Sequence, residues 1–174
     1  LSIVTAKGDD RAVIYANGAE AINFTGLTLS RPDGAWRNNE GHHNCFFTVW
    51  GYNGGSQTTD VVTYTDCVFP NGSGNNQYGK TTYTDCTFNN DTYYALWIYG
   101  SGSATSVEVT GGTFVADRGV KIYAEGADAV VNTKITGATF DVDSKPAIVS
   151  SIAGTVVVIS ALKPTSLTSS FSAA

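Results

Sequence analysis

The chain has little of several things that define other classes of protein. It has no methionine, four prolines, three cysteines and two histidines in 174 residues. No apolar run approaches the roughly 20 residues of a membrane-spanning helix, and no segment reads as a long helix. Basic residues are also few, with ten Lys and Arg against 15 Asp and Glu and a net charge of -5. We therefore expect neither a membrane span nor a nucleic-acid partner, since nucleic-acid binding needs a basic surface.

What is abundant is glycine, threonine, serine and asparagine, with 19 glycines alone. Such a composition is typical of an all-β protein that is dense in turns, and the low lysine content favours a secreted or cell-surface protein. The length predicts one domain over residues 1–174, with a long loop at 30–45 and a C-terminal tail at 164–174. Because the chain begins at Leu1 within a predicted strand, we expect a processed chain or a piece of a longer one.

One short segment recurs along the chain. It has eight positions. The first four are an apolar residue, any residue, an apolar residue and Thr. The fifth is Gly or Asp, the sixth a small residue, the seventh any residue, and the eighth Phe or Leu. Copies lie at residues 22–29, 62–69, 81–88, 107–114 and 133–140. Repetition of one supersecondary unit every 20–50 residues or so is typical of a solenoid.

The repeat predicts two inward-facing ladders of side chains. Its first half alternates as a strand does, so positions one and three point inward. Gly, and Asp less easily, adopts a left-handed backbone at position five, so the chain bends there and a second strand follows. The first ladder is Phe24, Tyr64, Tyr83, Val109 and Ile135, and the second is Leu29, Phe69, Phe88, Phe114 and Phe140.

A third alternating segment accompanies most copies, at residues 12–15, 47–50, 96–99, 120–123 and 147–149. Three short strands per turn predict a single-domain right-handed parallel β-helix of about six coils. The chain thus resembles the pectate-lyase-like superfamily of right-handed parallel β-helices, over about residues 3–162. The resemblance implies the fold but not one function, because that scaffold carries lyases, hydrolases, phage tailspikes and adhesins.

An external aromatic stripe is the main candidate for ligand binding. In the third strand of each repeat, alternation turns the last residue outward, and these residues predict one ladder. A second outward column, two residues earlier in the same strands, includes Trp97, Thr48 and Lys121. The ladder residues are Tyr15, Trp50, Tyr78, Tyr99 and Tyr123. Aromatic rings suit sugar rings or a protein partner. Alternatively, the rings stack on one another and only stabilise the sheet.

The long loop holds both histidines and the weaker catalytic candidates, Asp33, Arg37, His42 and His43. Long loops on rigid scaffolds often carry function, and a histidine there could act as a general base. We favour the alternative that this loop covers the aromatic face with its histidines in solvent.

An acidic column is the candidate metal site. Asp91, Asp117 and Asp143 recur at 26-residue intervals, and stacked carboxylates can hold calcium. The resemblance implies calcium with a basic Arg or Lys in members that cleave pectate. Because Asp is also the ordinary turn residue before a strand, we expect no cofactor.

Cys67 and Cys86 occupy the same inward position of successive repeats. Parallel, in-register side chains point the same way, which suits a disulfide poorly. We therefore prefer a ladder of buried thiols acting as small apolar filler.

These features favour a non-catalytic, secreted or surface-displayed domain that binds a glycan or a protein partner, adhesin-like in class. The first alternative is a polysaccharide lyase or glycoside hydrolase on the same fold. The second is a structural building block that self-associates through its terminal coils.

Overall fold

A computed structural model describes residues 2–4, 12–15, 19–30, 46–50, 59–75, 79–101, 105–125, 131–143, 147–150, 157–160, 163–164 and 172–173. Every regular element in these ranges is a β-strand. Within them, no helix has the length and hydrophobicity to cross a membrane.

The described strands form two sheets in which all pairings are parallel. In chain order the strands are β1 (Ser2–Val4), β2 (Ala12–Tyr15), β3 (Ala19–Thr25), β4 (Thr28–Ser30), β5 (Phe46–Trp50), β6 (Thr59–Thr65), β7 (Val68–Phe69), β8 (Ser73–Gly74), β9 (Gly79–Thr84), β10 (Thr87–Ser101), β11 (Thr105–Thr110), β12 (Thr113–Glu125), β13 (Val131–Thr136), β14 (Thr139–Val142), β15 (Ile148–Ser150), β16 (Val157–Ser160), β17 (Lys163–Pro164) and β18 (Ser172–Ala173).

The smaller sheet has six strands in the order β16-β13-β11-β9-β6-β3. The larger sheet has 12 strands along the path β1-β4-β7-β10-β12-β14-β17, with β2, β5, β8, β15 and β18 attached to it. Strand β10 pairs with β7 through its first residues and with β8 further along. The second and third strands predicted for this repeat are therefore one continuous element.

Both predicted ladders are confirmed in register and in burial. Phe24 pairs with Tyr64, and the row continues through Tyr83 and Val109 to Ile135. In the second row the rings of Phe88 and Phe114 stack with centroids 4.6 Å apart. The buried members of the two rows are Phe24, Tyr64, Tyr83, Val109, Ile135, Leu29, Phe69, Phe88, Phe114 and Phe140. Parallel strands with identical alternation thus make the core a stack of like side chains.

The bend predicted at the fifth repeat position is also confirmed. Its backbone lies in the left-handed region in every copy, at Gly26, Asp66, Asp85, Gly111 and Gly137, with φ between 50° and 69°. An L-residue with a side chain adopts this region with difficulty, and Asp is among the few that tolerate it. The choice of Gly or Asp at this position is therefore dictated by the backbone.

Cys67 and Cys86 are buried free thiols, as the filler interpretation predicted. The Cys86 Sγ donates weakly to the carbonyl oxygens of Tyr64 at 3.6 Å and Thr84 at 3.4 Å. Burial raises the pKa of the Cys86 thiol to about 12, so the thiol stays protonated and apolar.

The tail predicted at 164–174 joins the larger sheet in two places. Pro164 pairs with Phe140 and takes the next place in the Phe row. Further along, Ser172 pairs with Val149 and adds β18 beside β15. The end of the chain therefore extends the existing register.

Candidate functional site

The candidate site lies on the outer face of β10 and β12. Leu96 and Ile98 belong to the main core, so the residues between and after them, Trp97 and Tyr99, lie on the opposite face. Tyr99 pairs with Tyr123. This part of the predicted aromatic stripe is therefore confirmed in register, as is the pairing of Trp97 with Lys121.

A bulge in β10 brings two further tyrosines to this face. Asn90 pairs with Ala116, and the next pair is Tyr94 with Arg118. Four steps along β10 therefore match two steps along β12, which leaves two extra residues in β10. Bulges of this kind re-aim side chains and are common beside functional sites. Here the bulge places Tyr93 and Tyr94 against Trp97 in one buried cluster.

Asn90 holds the bulge from inside. Its side chain is buried, and its Nδ2 donates to the Tyr94 carbonyl at 2.9 Å and to the Asn71 carbonyl at 3.3 Å. Its Oδ1 accepts from the Tyr93 backbone N–H at 3.1 Å. The Asn90 amide thereby pairs with backbone groups that lack a partner in the neighbouring strand, because the bulge interrupts the ladder. It also fixes the positions of Tyr93 and Tyr94.

A second buried amide fixes Tyr99. Asn75 Nδ2 donates to the Tyr99 carbonyl at 3.1 Å, and Asn75 Oδ1 accepts from the Tyr99 backbone N–H at 2.7 Å. Because β8 ends at Gly74, the Asn75 side chain supplies the hydrogen bonds to Tyr99 that a neighbouring strand would otherwise make. As a result the Tyr99 ring is held on a rigid backbone.

The aromatic rings pack closely on one another. Tyr99 and Tyr123 stack with centroids 5.6 Å apart, and Trp97 lies 5.1 Å from Tyr99 and 6.3 Å from Tyr123. Tyr93 meets Tyr94 edge-on at 4.8 Å. The prediction that Trp97 offers an exposed ring is wrong, because these neighbours leave it 1% exposed. Trp97 is the base of the cluster, and Tyr99 and Tyr123 above it stay partly exposed.

Two cations accompany the rings. Lys121 Nζ lies 5.7–5.9 Å from the ring centroids of Tyr93, Tyr94 and Tyr123, and it donates to the Tyr93 hydroxyl at 3.3 Å. The Arg118 guanidinium lies 5.8 Å from the Tyr93 ring and 5.6 Å from the Tyr94 ring. These distances are within the range of cation–π attraction. We call the set Tyr93, Tyr94, Trp97, Tyr99, Arg118, Lys121 and Tyr123 the aromatic surface.

The predicted stripe does not continue in one row toward the start of the chain. Tyr15 pairs with Trp50, as expected. However, Phe47 and Trp97 both pair with Gly74, so Phe47, not Thr48, shares the row of Trp97. Counted from these pairs, Trp50 falls one residue beyond the row of Tyr99. Tyr78 lies outside the described residues.

The acidic column does come together, beside the aromatic surface. Asp91, Asp117 and Asp143 line an open groove of about 310 Å³. The remaining lining residues are Val115, Ala116 and Asp141. Asp117 Oδ2 accepts from Arg118 Nε at 3.1 Å. In the described part of the chain, no group of three or more His, Cys, Asp or Glu side chains has an arrangement that could hold a metal ion.

The loop candidates Asp33, Arg37, His42 and His43 lie outside the described residues. Their proposed catalytic roles therefore stay predictions.

Residues that the sequence analysis missed, Tyr93, Tyr94, Asn75 and Asn90, make up much of the site. One signal could have found the bulge. Phe88 and Tyr99 are 11 residues apart, whereas the equivalent Phe114 and Tyr123 are 9 apart. The difference of two is the insertion that carries the tyrosine pair.

Comparison with protein-family models, with curated proteins and with solved structures gives no match for this chain. What can be inferred about its function therefore comes from its own residues.

Proposed function

We propose that the chain is a non-catalytic, glycan-binding domain of a secreted or cell-surface protein, built as a right-handed parallel β-helix of about six coils. Parallel sheets joined by a bend in every repeat support the coiled architecture. The observation that carries the binding function is the aromatic surface, where a bulge held by a buried amide sets tyrosine rings and two cations on the outer face of a rigid sheet.

The cluster of rings on the outer face is not required to fill the hydrophobic core. The interior of the same strands is already filled by the Phe and Leu rows, so the outer cluster adds nothing to inward packing. Tyr99 and Tyr123 are only partly covered, and each combines a flat apolar ring with a polar hydroxyl. A sugar ring has the same two characters, an apolar C–H face and hydroxyl groups at its rim, so it can stack on one ring while bonding to its neighbours.

A glycan fits this surface better than a large protein partner. The structure offers one exposed large hydrophobic residue among those it describes, Val115, whereas the buried centre of a protein–protein interface is more apolar than the surrounding surface. The two partly covered rings, Tyr99 and Tyr123, instead suit a ligand that stacks on single rings, as a sugar does.

A glycan array probed with the wild-type chain and two variants tests the proposal. Tyr123→Ala removes the stacking ring, and we expect binding to fall at least about tenfold, or about 1.4 kcal/mol. Tyr123→Phe keeps the ring and should retain most of the affinity. Val115→Ala, in the same strand but beside the acidic groove, is the matched control. Equal binding by wild type and Tyr123→Ala would exclude this surface as the site.

A second candidate is a polysaccharide lyase or glycoside hydrolase, and the acidic groove favours it. Carboxylates from neighbouring strands gather there beside Arg118, and paired carboxylates are the groups that cleave glycosidic bonds. Incubation with neutral and acidic polysaccharides, followed by assay for new reducing ends and unsaturated products, tests it. Activity that disappears in Asp117→Asn would replace the binding proposal with the enzymatic one.

A further inference from the structure

Two positive charges converge on one pair of rings in an acidic protein. Arg118 and Lys121 each lie within 6 Å of both the Tyr93 and the Tyr94 ring centroids. The chain as a whole has a net charge of -5. Arg118 and Lys121 therefore place two positive charges on the aromatic surface, at the border of the acidic groove.

The cations of the other sheet are arranged differently. Lys80 and Lys134 both contact the carboxylate of Glu108, at 3.0 and 3.3 Å. These two contacts lower the pKa of Glu108 and hold all three side chains in a mutual ion cluster. On that sheet two lysines share one carboxylate, whereas Arg118 pairs with Asp117 through Nε and, like Lys121, also lies close to aromatic rings.

Arg118 retains donors for a ligand. Its contact with Asp117 uses Nε, which leaves the terminal amino groups of the guanidinium to make further bonds. A guanidinium binds carboxylate or sulfate oxygens through paired hydrogen bonds, and a lysine ammonium adds a mobile point charge. Asp117 and the nearby Asp91 and Asp143 line the groove beside this position, so the anion is expected on the Lys121 side of Arg118.

We infer that the aromatic surface selects an anionic sugar, one that carries a carboxylate or a sulfate ester, with Arg118 and Lys121 as the specificity-determining residues. The inference rests on the proposed glycan-binding function. A sugar stacked on Tyr99 and Tyr123 brings its ring substituents toward Lys121, which already contacts the Tyr123 ring at 5.8 Å. A neutral sugar can stack on the rings only, whereas an anionic sugar can stack on the rings and also pair its negative charge with the two cations.

Matched oligosaccharides test the inference. Each backbone is presented in three forms, neutral, carboxylated and sulfated, and affinities are measured by titration calorimetry at low salt and at about 0.5 M NaCl. We expect the wild-type chain to bind an anionic form at least about tenfold more tightly than its neutral counterpart. That preference should shrink at high salt, since screening weakens exposed charge pairs. The carboxylated and sulfated arms show which anion is preferred.

Variants assign the preference to the two cations. The double variant R118Q/K121Q should lose the preference, so that its affinities for the anionic and the neutral form of one backbone become equal within about twofold. Arg118→Lys with Lys121→Arg keeps both charges and should keep the preference. Lys134→Gln, on the other sheet, is the control and should behave as wild type.

The failures are distinguishable. If the wild-type chain binds neutral and anionic forms equally, the selectivity is overturned and the glycan-binding function stands. If the double variant keeps the preference, Arg118 and Lys121 are not its source and the inference is likewise wrong. If no form binds, the proposed function itself fails, and the inference with it.

Discussion

At the scale of single residues, the backbone of each bend decides what the sequence can contain. Position five of the repeat is left-handed in all five copies, and Gly or Asp occupies it. Gly112, at position six, is left-handed too, with φ of 79°. At Gly112 a second constraint applies, because a Cβ there would lie 2.4 Å from the Cys86 carbonyl oxygen. Glycine is therefore needed at Gly112 for space as well as for conformation.

A matched pair of glycine substitutions separates the two constraints. Gly137→Ala meets no atom nearer than 3.8 Å, so it should lower the free energy of unfolding only by the left-handed penalty, about 1–2 kcal/mol. Gly112→Ala should lower it by about 1–3 kcal/mol more, because a neighbouring strand must move. Urea unfolding of both variants measures the difference. Equal losses would mean that the strands are not packed as described at this bend.

The Cys86 thiol predicts a pH dependence of stability. Its pKa is about 12 in the folded chain against an ordinary 9.0, chiefly because burial disfavours the thiolate. Between these values the unfolded chain loses a proton that the folded chain keeps, so this contribution is complete below about pH 9 and is lost as the pH rises toward about 12. The free energy of unfolding should therefore fall more steeply with pH in the wild-type chain than in Cys86→Ala, measured by urea unfolding at pH 8, 9 and 10. Parallel pH profiles would contradict the burial of this thiol.

At the scale of elements, the strands are held together by rows of like side chains. Phe114 lies between Phe88 and Phe140, with ring centroids at 4.6 and 4.5 Å. The Phe114 ring is thus in contact with a ring from the strand on either side of it in the sheet. A repeat unit that cannot bury its own apolar face alone becomes stable in this way through its neighbours.

Truncation of one ring in this row should be far more damaging than truncation of the residue beside it. Phe114→Ala is expected to lower the free energy of unfolding by about 3–5 kcal/mol, from lost burial and the cavity left behind. Val115→Ala, one residue on and 41% exposed, should lower it by less than about 1 kcal/mol. Denaturant unfolding of the two variants tests the inward and outward assignment of this strand. Similar losses would show that the assignment is wrong.

The rows could be predicted from the sequence because each copy of the repeat carries its own alternation and its own bend residue. The bulge could not be predicted from alternation alone. Tyr93 and Tyr94 follow Asn90 within a single strand, where two extra residues leave the inward positions before and after them in phase, so the insertion does not disturb the alternation. Trp97 was expected to be exposed because two of the rings that pack around it, Tyr93 and Tyr94, are brought there by the bulge.

The register between distant strands was the other feature that could not be predicted from the sequence. Tyr15 and Trp50 were correctly paired, because both end similar strands. Their connection to Tyr99 passes through Ser73 and Gly74, a two-residue strand with no apolar alternation. Small side chains of this kind carry no pattern that fixes register, so an offset of one residue was invisible in the sequence.

At the scale of the whole molecule, the end of the chain is part of the sheet that carries the aromatic surface. Lys121 pairs with Val149 in β15, and Val149 pairs with Ser172 in β18. Val149 also packs against the aromatic cluster. The tail strand therefore covers the edge of β15 close to the proposed binding face.

Removal of residues 165–174 should expose that edge. We expect a lower free energy of unfolding, because the ladder with β18 is lost, and self-association through the uncovered strand, since open edges pair with other chains. Urea unfolding and light scattering compare the truncated and full chains. A truncated chain that stays monomeric and equally stable would refute this role for the tail.

The central claim is that a sugar binds to the tyrosines of the outer face. Its most direct test is a nuclear magnetic resonance titration of the chain with ring-labelled tyrosines, using the oligosaccharide that the array retains best. The ring signals of Tyr99, Tyr123, Tyr93 and Tyr94 should shift with ligand. Signals of the buried core tyrosines Tyr64 and Tyr83 should stay in place. Shifts confined to other tyrosines, or no retained oligosaccharide at all, would contradict it.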